Sequence, residues 1–177
     1  MKTRIRMKLF AITALAVSAF AQPNPAAPAA TNGQLPEKVR HELVMMPYYG
    51  IFDQLAFQVD GNKVTLLGEV SRPTLKTEAE RRVKSLTGVE EVDNQIRVLP
   101  LSPYDDRLRL ASMRAIYGNP GLSRYSMGAQ PNIRFIVENG KLTLKGNVSN
   151  EMDRNLAGIL ANGVPGAFEV YNELVVN

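Results

Sequence analysis

FQVDGNKVTLLGEVS, Phe57 to Ser71, returns 78 residues later as FIVENGKLTLKGNVS, Phe135 to Ser149. The copies share Phe57/Phe135, Val59/Val137, Lys63/Lys141, Thr65/Thr143, Leu66/Leu144, Gly68/Gly146, Val70/Val148 and Ser71/Ser149. The register runs on without a gap through Ala79/Ala157, Gly88/Gly166, Glu91/Glu169, Val92/Val170 and Asn94/Asn172. A repeat of this kind decides the architecture before any single element is assigned. Two copies, each long enough for a small core, imply two like domains in tandem rather than a solenoid.

Each copy reads as a β-hairpin, then a helix, then a strand. Asn139-Gly140 lies between apolar runs, and a type I′ turn needs positive φ at both central residues, which Asn-Gly tolerates best. Asp60-Gly61-Asn62-Lys63 is a weaker form of the same signal. In the strand that follows, Val64, Leu66, Gly68 and Val70 alternate with Thr65, Leu67 and Glu69, so one face is buried and the other is wet. Leu75, Ala79, Val83 and Leu86 then make the apolar stripe of a helix, with Ser71 as its candidate N-cap and Gly88 as its left-handed terminator. Val92, Asn94, Ile96 and Val98 share one face of a last strand, Val92 to Val98.

A helix over about Pro36 to Met46 opens the first copy, with Val39, Leu43 and Met46 on one face and Pro47 ending it. The first copy's hairpin is expected over about Ala56–Asp60 and Lys63–Val70. In the second copy a helix from about Pro103 to Tyr117 closes at Gly118, with Ser102 capping it and Asp105 near its positive end. Asn119 to Asn132 is a longer connector than its counterpart. The hairpin, a helix capped by Asn150 and a strand Glu169 to Val176 follow. The expected fold is α+β: two tandem α-β-β-α-β domains, each a three-stranded mixed sheet with two helices on one face. A strand reached through a helix pairs in parallel. Residues 35–100 form one domain and 101–177 the other, joined by a proline-stiffened link at Leu99 to Pro103.

The N-terminal end has a different character. Lys2, Arg4, Arg6 and Lys8 precede an apolar run from Leu9 to about Val17, and Ala19-Phe20-Ala21 is a small-x-small cleavage pattern before Gln22, so residues 1–21 read as a secretory signal peptide. That apolar run is short of the ~20 residues of a spanning helix. Gln22 to Gln34, rich in Pro and Ala, reads as a flexible tether. The formal charge of +4 comes entirely from those four leader cations; without them 17 basic residues face 17 acidic ones. The basic balance therefore carries no signal for nucleic acid. With no cysteine and one histidine, neither a disulfide framework nor an imidazole-rich metal site is available.

These residues together resemble the BON family (bacterial osmotic-stress and nodulation proteins). In copy one the resemblance rests on Val64, Leu66, Gly68, Val70, Ala79, Gly88, Val89, Val92 and Asn94. In copy two it rests on Leu142, Leu144, Gly146, Val148, Ala157, Gly166, Val170 and Asn172. It covers about residues 35–177. Copy two departs from copy one at Ala167 and Phe168, which replace Val89 and Glu90. The resemblance implies α+β units that work in the periplasm or at the outer membrane, binding phospholipid or maintaining the envelope.

Catalytic chemistry has no constellation here. His41 reads as a surface or half-buried side chain, and Glu90, Glu91 and Asp93 as a solvated turn, because a hard cation needs several converging oxygens. Gly68 and Gly146 sit within strands, where glycine lets a helix approach or marks a bulge. Interfacial binding needs apolar side chains beside cations. Two groups offer that: Arg40 with Met45, Met46, Tyr48, Tyr49 and Phe52, and Arg114 with Tyr117, Leu122, Arg124 and Tyr125. The plainer role for both is to seal the open end of each core. The expectation is a non-enzymatic periplasmic protein without cofactor or metal. It binds phospholipid or a membrane surface in envelope maintenance or osmotic-stress protection. The alternative is a periplasmic protein-interaction adaptor without lipid affinity.

Overall fold

The computed structural model describes residues 34–128 and 131–177. The leader and nearly all of the tether lie outside the described residues. In copy one, helix α1 (Leu35–Val44) precedes the hairpin β1 (Gln54–Asp60) and β2 (Lys63–Val70), then helix α2 (Pro73–Lys84) and the short strands β3 (Glu91–Asn94) and β4 (Arg97–Val98). Copy two repeats the order with α3 (Pro103–Tyr117), β5 (Ile133–Glu138), β6 (Lys141–Val148), α4 (Glu151–Asn162) and β7 (Glu169–Val176). A one-turn 3-10 helix, Ser123–Ser126, lies in its longer connector.

Both sheets have the expected topology. β2 is central, antiparallel to β1 and parallel to β3 and β4. β6 stands between β5 and β7 in the same way. The alternation read in the sequence is the burial pattern: Val64, Leu66 and Val70 are buried, as are Leu142, Leu144 and Val148. The first core gathers Leu35, Val39 and Leu43 of α1 with Leu75, Ala79 and Val83 of α2. The second gathers Leu108 and Ile116 of α3 with Ala157 and Ala161 of α4 around Phe135, and it also takes in Ile51 and Phe52 from copy one.

The structure differs from the sequence reading in four local features. The first copy's last strand is interrupted after Asn94 and resumes at Arg97, whereas β7 is unbroken although Asn172 accepts from Leu174 N just as Asn94 accepts from Ile96 N. Ser71 does not cap α2: Arg72 holds that position without a side-chain bond, while the Ser71 hydroxyl and amide both donate to Asp53. Gly88 has φ +99° but lies in the turn beyond Ser85, the actual C-cap. The two hairpin turns are also different. Asn139 and Gly140 both have positive φ, as a type I′ turn requires, whereas in copy one only Gly61 of the central pair does, the pattern of type II′. Ser102 and Asn150 do cap α3 and α4, accepting from Asp105 N and Asp153 N.

Gly68 and Gly146 have a sharper role than either sequence option. Both have φ +117°, and a Cβ would stand 2.0 Å from Gln54 O or 1.9 Å from Asn132 O. The neighbour that needs the space is the backbone entering the hairpin partner strand, not a helix. The shared Asn94 and Asn172 are explained as well. Their amides donate to Lys76 O and Arg154 O, again 78 residues apart, tying the third strand to the second helix in each copy.

Candidate functional site

The first candidate group is divided by the fold. Met46 is buried in the first core, and Phe52 packs into the second, its ring edge-on to Phe135 at 6.5 Å. Tyr49 is half-buried; its hydroxyl accepts from Leu55 N, and burial raises its pKa above the ordinary phenol value. Arg40 is exposed and lines a cleft with Tyr49 and Arg134. Met45 and Tyr48 remain as the outward-facing part, 61% and 75% exposed.

Tyr48 is the unusual residue of the connector. Its φ is +67°, a left-handed conformation that costs a bulky L-residue roughly 1–2 kcal/mol. The ring carried at this position faces solvent. The Arg72 guanidinium lies over that ring, 5.1 Å from its centre. A cation on an exposed aromatic face contributes about 0.5–1 kcal/mol, and the pair sets a positive charge beside an apolar surface. The sequence reading did not include Arg72. Its position between Ser71 and Pro73 gives no periodic signal, and only the folded connector brings it to Tyr48.

The second group is placed mainly inside. Leu122 and Tyr125 are buried, at 0% and 4% exposure, and so have no face to offer a ligand. The Tyr125 hydroxyl bonds Asp153 and accepts from Ser149 N, doing for copy two what the Asp53 carboxylate does for copy one. Tyr117 donates to Ile133 O, and burial pushes its phenol up to about 12. Arg114 and Arg124 are exposed; Arg124 pairs with Asp153 and stacks on Tyr125 at 4.9 Å. Met127, next along the connector, is 70% exposed. His41 is exposed, Glu91 pairs with Lys63, and Glu90 accepts from Asn62. Among the described residues no cluster of His, Cys, Asp and Glu that could hold a metal ion is formed.

A third apolar surface was missed. On α4, Met152 and Ile159 are 78% and 70% exposed, with Leu156 between them on the same face. The equivalent positions of α2 are Thr74, Glu78 and Arg81, so an ion-paired face in copy one is aliphatic in copy two. Comparing the two copies position by position carries that signal in the sequence itself.

The connector also joins the two halves. Arg134 donates to Gly50 O at 2.7 Å and Asp53 O at 3.1 Å, and lies 4.6 Å over the Tyr49 ring. Phe135 N donates to Ile51 O at 2.8 Å. Lys145 pairs with Glu69, and Arg97 with Glu138, across the same junction. No described helix is long and apolar enough to cross a membrane.

The BON domain family matches residues 33–100 and 113–177, one segment per copy. No curated protein matches the chain. Among solved structures, it is similar to the C-terminal domain of CdsD, the structural protein of the type III secretion system of Chlamydia trachomatis. The identity is 18% and the TM-score 0.31, over 81% of this chain and 64% of that one. A second CdsD structure from the same organism matches at 18% identity and TM-score 0.30, over 80% of this chain and 60% of that one. The chain thus spans less than two thirds of either. BON domains are non-catalytic binding modules, typical of periplasmic and envelope-associated proteins. With both copies matched and the repeated α-β-β-α-β unit in place, the chain belongs to the BON domain family as a tandem double-BON protein.

Proposed function

We propose that the chain is a non-enzymatic periplasmic protein that rests against a phospholipid surface in envelope maintenance or osmotic-stress protection. The supporting observation is Tyr48, held at positive φ and exposed, with Met45 on the same connector and Arg72 over its ring. Tyrosine suits the boundary between headgroups and acyl chains, having an apolar body and a polar tip. Burying Met45 and Tyr48 contributes roughly 1.5–3 kcal/mol each, and a nearby cation about 1 kcal/mol on an anionic leaflet. Such a contact is peripheral and reversible. Arg114, Arg124 and Met127 offer a weaker second contact on copy two.

Co-sedimentation of the chain lacking residues 1–21 with vesicles, anionic or zwitterionic, tests this at low salt. Wild type is expected in the pellet with anionic vesicles, and Tyr48→Ser with Arg72→Glu mostly in the supernatant. Wild type remaining in the supernatant with both vesicle types would remove the lipid reading.

The aliphatic face of α4 favours a second reading, an adaptor that binds another protein and no lipid. Cross-linking through a probe at Ile159 in envelope extracts separates the two: a discrete protein adduct together with no vesicle binding supports the adaptor.

A further inference from the structure

The two hairpins present the same edge in different states. β1 and β5 are the outer strands of their sheets, and an edge strand carries a row of backbone groups that must be covered or left to solvent. On β5 each outward-facing residue has one main-chain group occupied: Ile133 O receives the Tyr117 hydroxyl, Phe135 N donates to Ile51 O at 2.8 Å, and Val137 O receives Arg109 at 2.7 Å. The residues 78 positions earlier are Leu55, Phe57 and Val59. Leu55 N donates to the Tyr49 hydroxyl at 3.3 Å, which confirms that this row faces outward. Among the described residues, no group from outside the β1–β2 hairpin bonds Phe57 or Val59.

At Phe57 that edge borders a cleft of about 580 Å³ between the two copies, and Val59 continues the edge beyond the cleft's lining. Leu43, Tyr49, Leu55 and Phe57 line one side, and Pro131 with Asn132 the other. Arg40 and Arg134 also line it, and no Asp or Glu side chain does among the described residues. A cleft of this size has room for a short extended segment rather than for a second folded sheet.

We infer that the β1 edge binds an extended peptide segment of a partner protein by strand addition, one carrying adjacent large apolar residues and an acid. The template is inside the molecule. Ile51-Phe52-Asp53, not itself a strand, meets the β5 edge through one main-chain bond, its Ile51 carbonyl on Phe135 N, with its Phe52 ring on the Phe135 ring. Phe57 is the repeat equivalent of Phe135 and lacks such a cover. Main-chain bonds to Phe57 and Val59 supply affinity, and the side chains beside them supply selection. Arg40 at the cleft supplies the charge that an acidic residue complements.

The probe is a synthetic peptide of residues Tyr49–Gln54, YGIFDQ, added to the chain lacking residues 1–21 and followed by amide chemical shifts. Saturable shifts are expected at Leu55, Phe57 and Val59. N-methylating alternate amides of the peptide is expected to weaken binding about tenfold or more, the scale of one or two lost hydrogen bonds. Val59→Pro, which removes an outward N–H where an edge strand tolerates proline, should weaken it similarly; the methylated peptide tests the same ladder from the peptide's donor side, on an unaltered protein. The inference fails if no shifts appear at millimolar peptide, if they centre on Phe135, or if the methylated peptide binds equally. It fails equally if the same shifts arise on concentrating the protein alone, since a second copy is then the occupant.

Discussion

At single positions, backbone geometry sets much of what this sequence tolerates. Gly146 accepts no side chain, because its φ of +117° is unfavourable for one and Asn132 O occupies the Cβ position. Gly146→Ala is expected to lower unfolding free energy by roughly 2–4 kcal/mol in urea denaturation. Tyr48 is the opposite case, an L-residue at φ +67° where glycine is at ease. Tyr48→Gly relieves the left-handed strain but adds freedom to the unfolded chain and gives up the Arg72 contact, so the three nearly cancel and stability is expected to stay within about 0.5 kcal/mol of wild type. Thermal unfolding would show it, and a larger loss of stability would mean the ring contributes more to the fold than its exposure implies. Asp105 illustrates what a sequence conceals. The sequence presents it as a charge near a helix end, yet it is fully buried and accepts from Asn139 N and Gly140 N, fixing the hairpin turn to α3.

Between elements, the two second helices show how one repeat supports two surfaces. On α2, Glu78 accepts from Arg81 and Arg82, and Arg82 reaches Glu42 of α1. Hydrogen bonds from Arg81 and then Arg82 hold the Glu78 carboxyl down at about 2, against 4.5 ordinarily. A depressed carboxyl stabilises the fold above its unfolded value and loses that contribution as pH falls through the folded one. The stability difference between wild type and Glu78→Gln is therefore expected to be constant above pH 4.5 and to disappear towards pH 2. A difference unchanged by acid would show the arginines acting elsewhere. On α4 the matching residues are Leu156, Ile159 and Leu160, and no such titration exists there. The charge network of copy one and the aliphatic face of copy two occupy the same site on the same scaffold.

For the whole molecule, the junction decides whether the halves behave as one body. Arg134 ties Gly50, Asp53 and Tyr49 of copy one to β5 of copy two, and Phe52 enters the second core. Glu69–Lys145 and Arg97–Glu138 reinforce it from the sheet side. Arg134→Ala leaves Gly50 O and Asp53 O without that donor, and two linked domains then unfold more independently. One denaturation transition in wild type is expected to become two in the variant, followed by amide signals from each copy. A single unaltered transition would mean that apolar packing by Ile51 and Phe52 suffices to couple them.

Much of the fold was legible in the chain because its signals are local. Alternation in β2 and β6, the stripe of α2, the Asn-Gly turn and the caps at Ser102 and Asn150 each act within a few residues, and the repeat let one copy check the other. The interruption after Asn94 was not legible, since the matching stretch of copy two keeps the same asparagine and the same side-chain bond in an unbroken strand. The candidate surface was harder still. Residue type placed Tyr48, Tyr125, Phe52 and Leu122 in the same class, and only packing separated an exposed ring from two buried side chains and one lent to the neighbouring copy. Periodicity reports which face of an element is apolar. What covers that face depends on the approach of distant segments, and only the tertiary structure places Ile51 on the β5 edge and leaves β1 beside an open cleft.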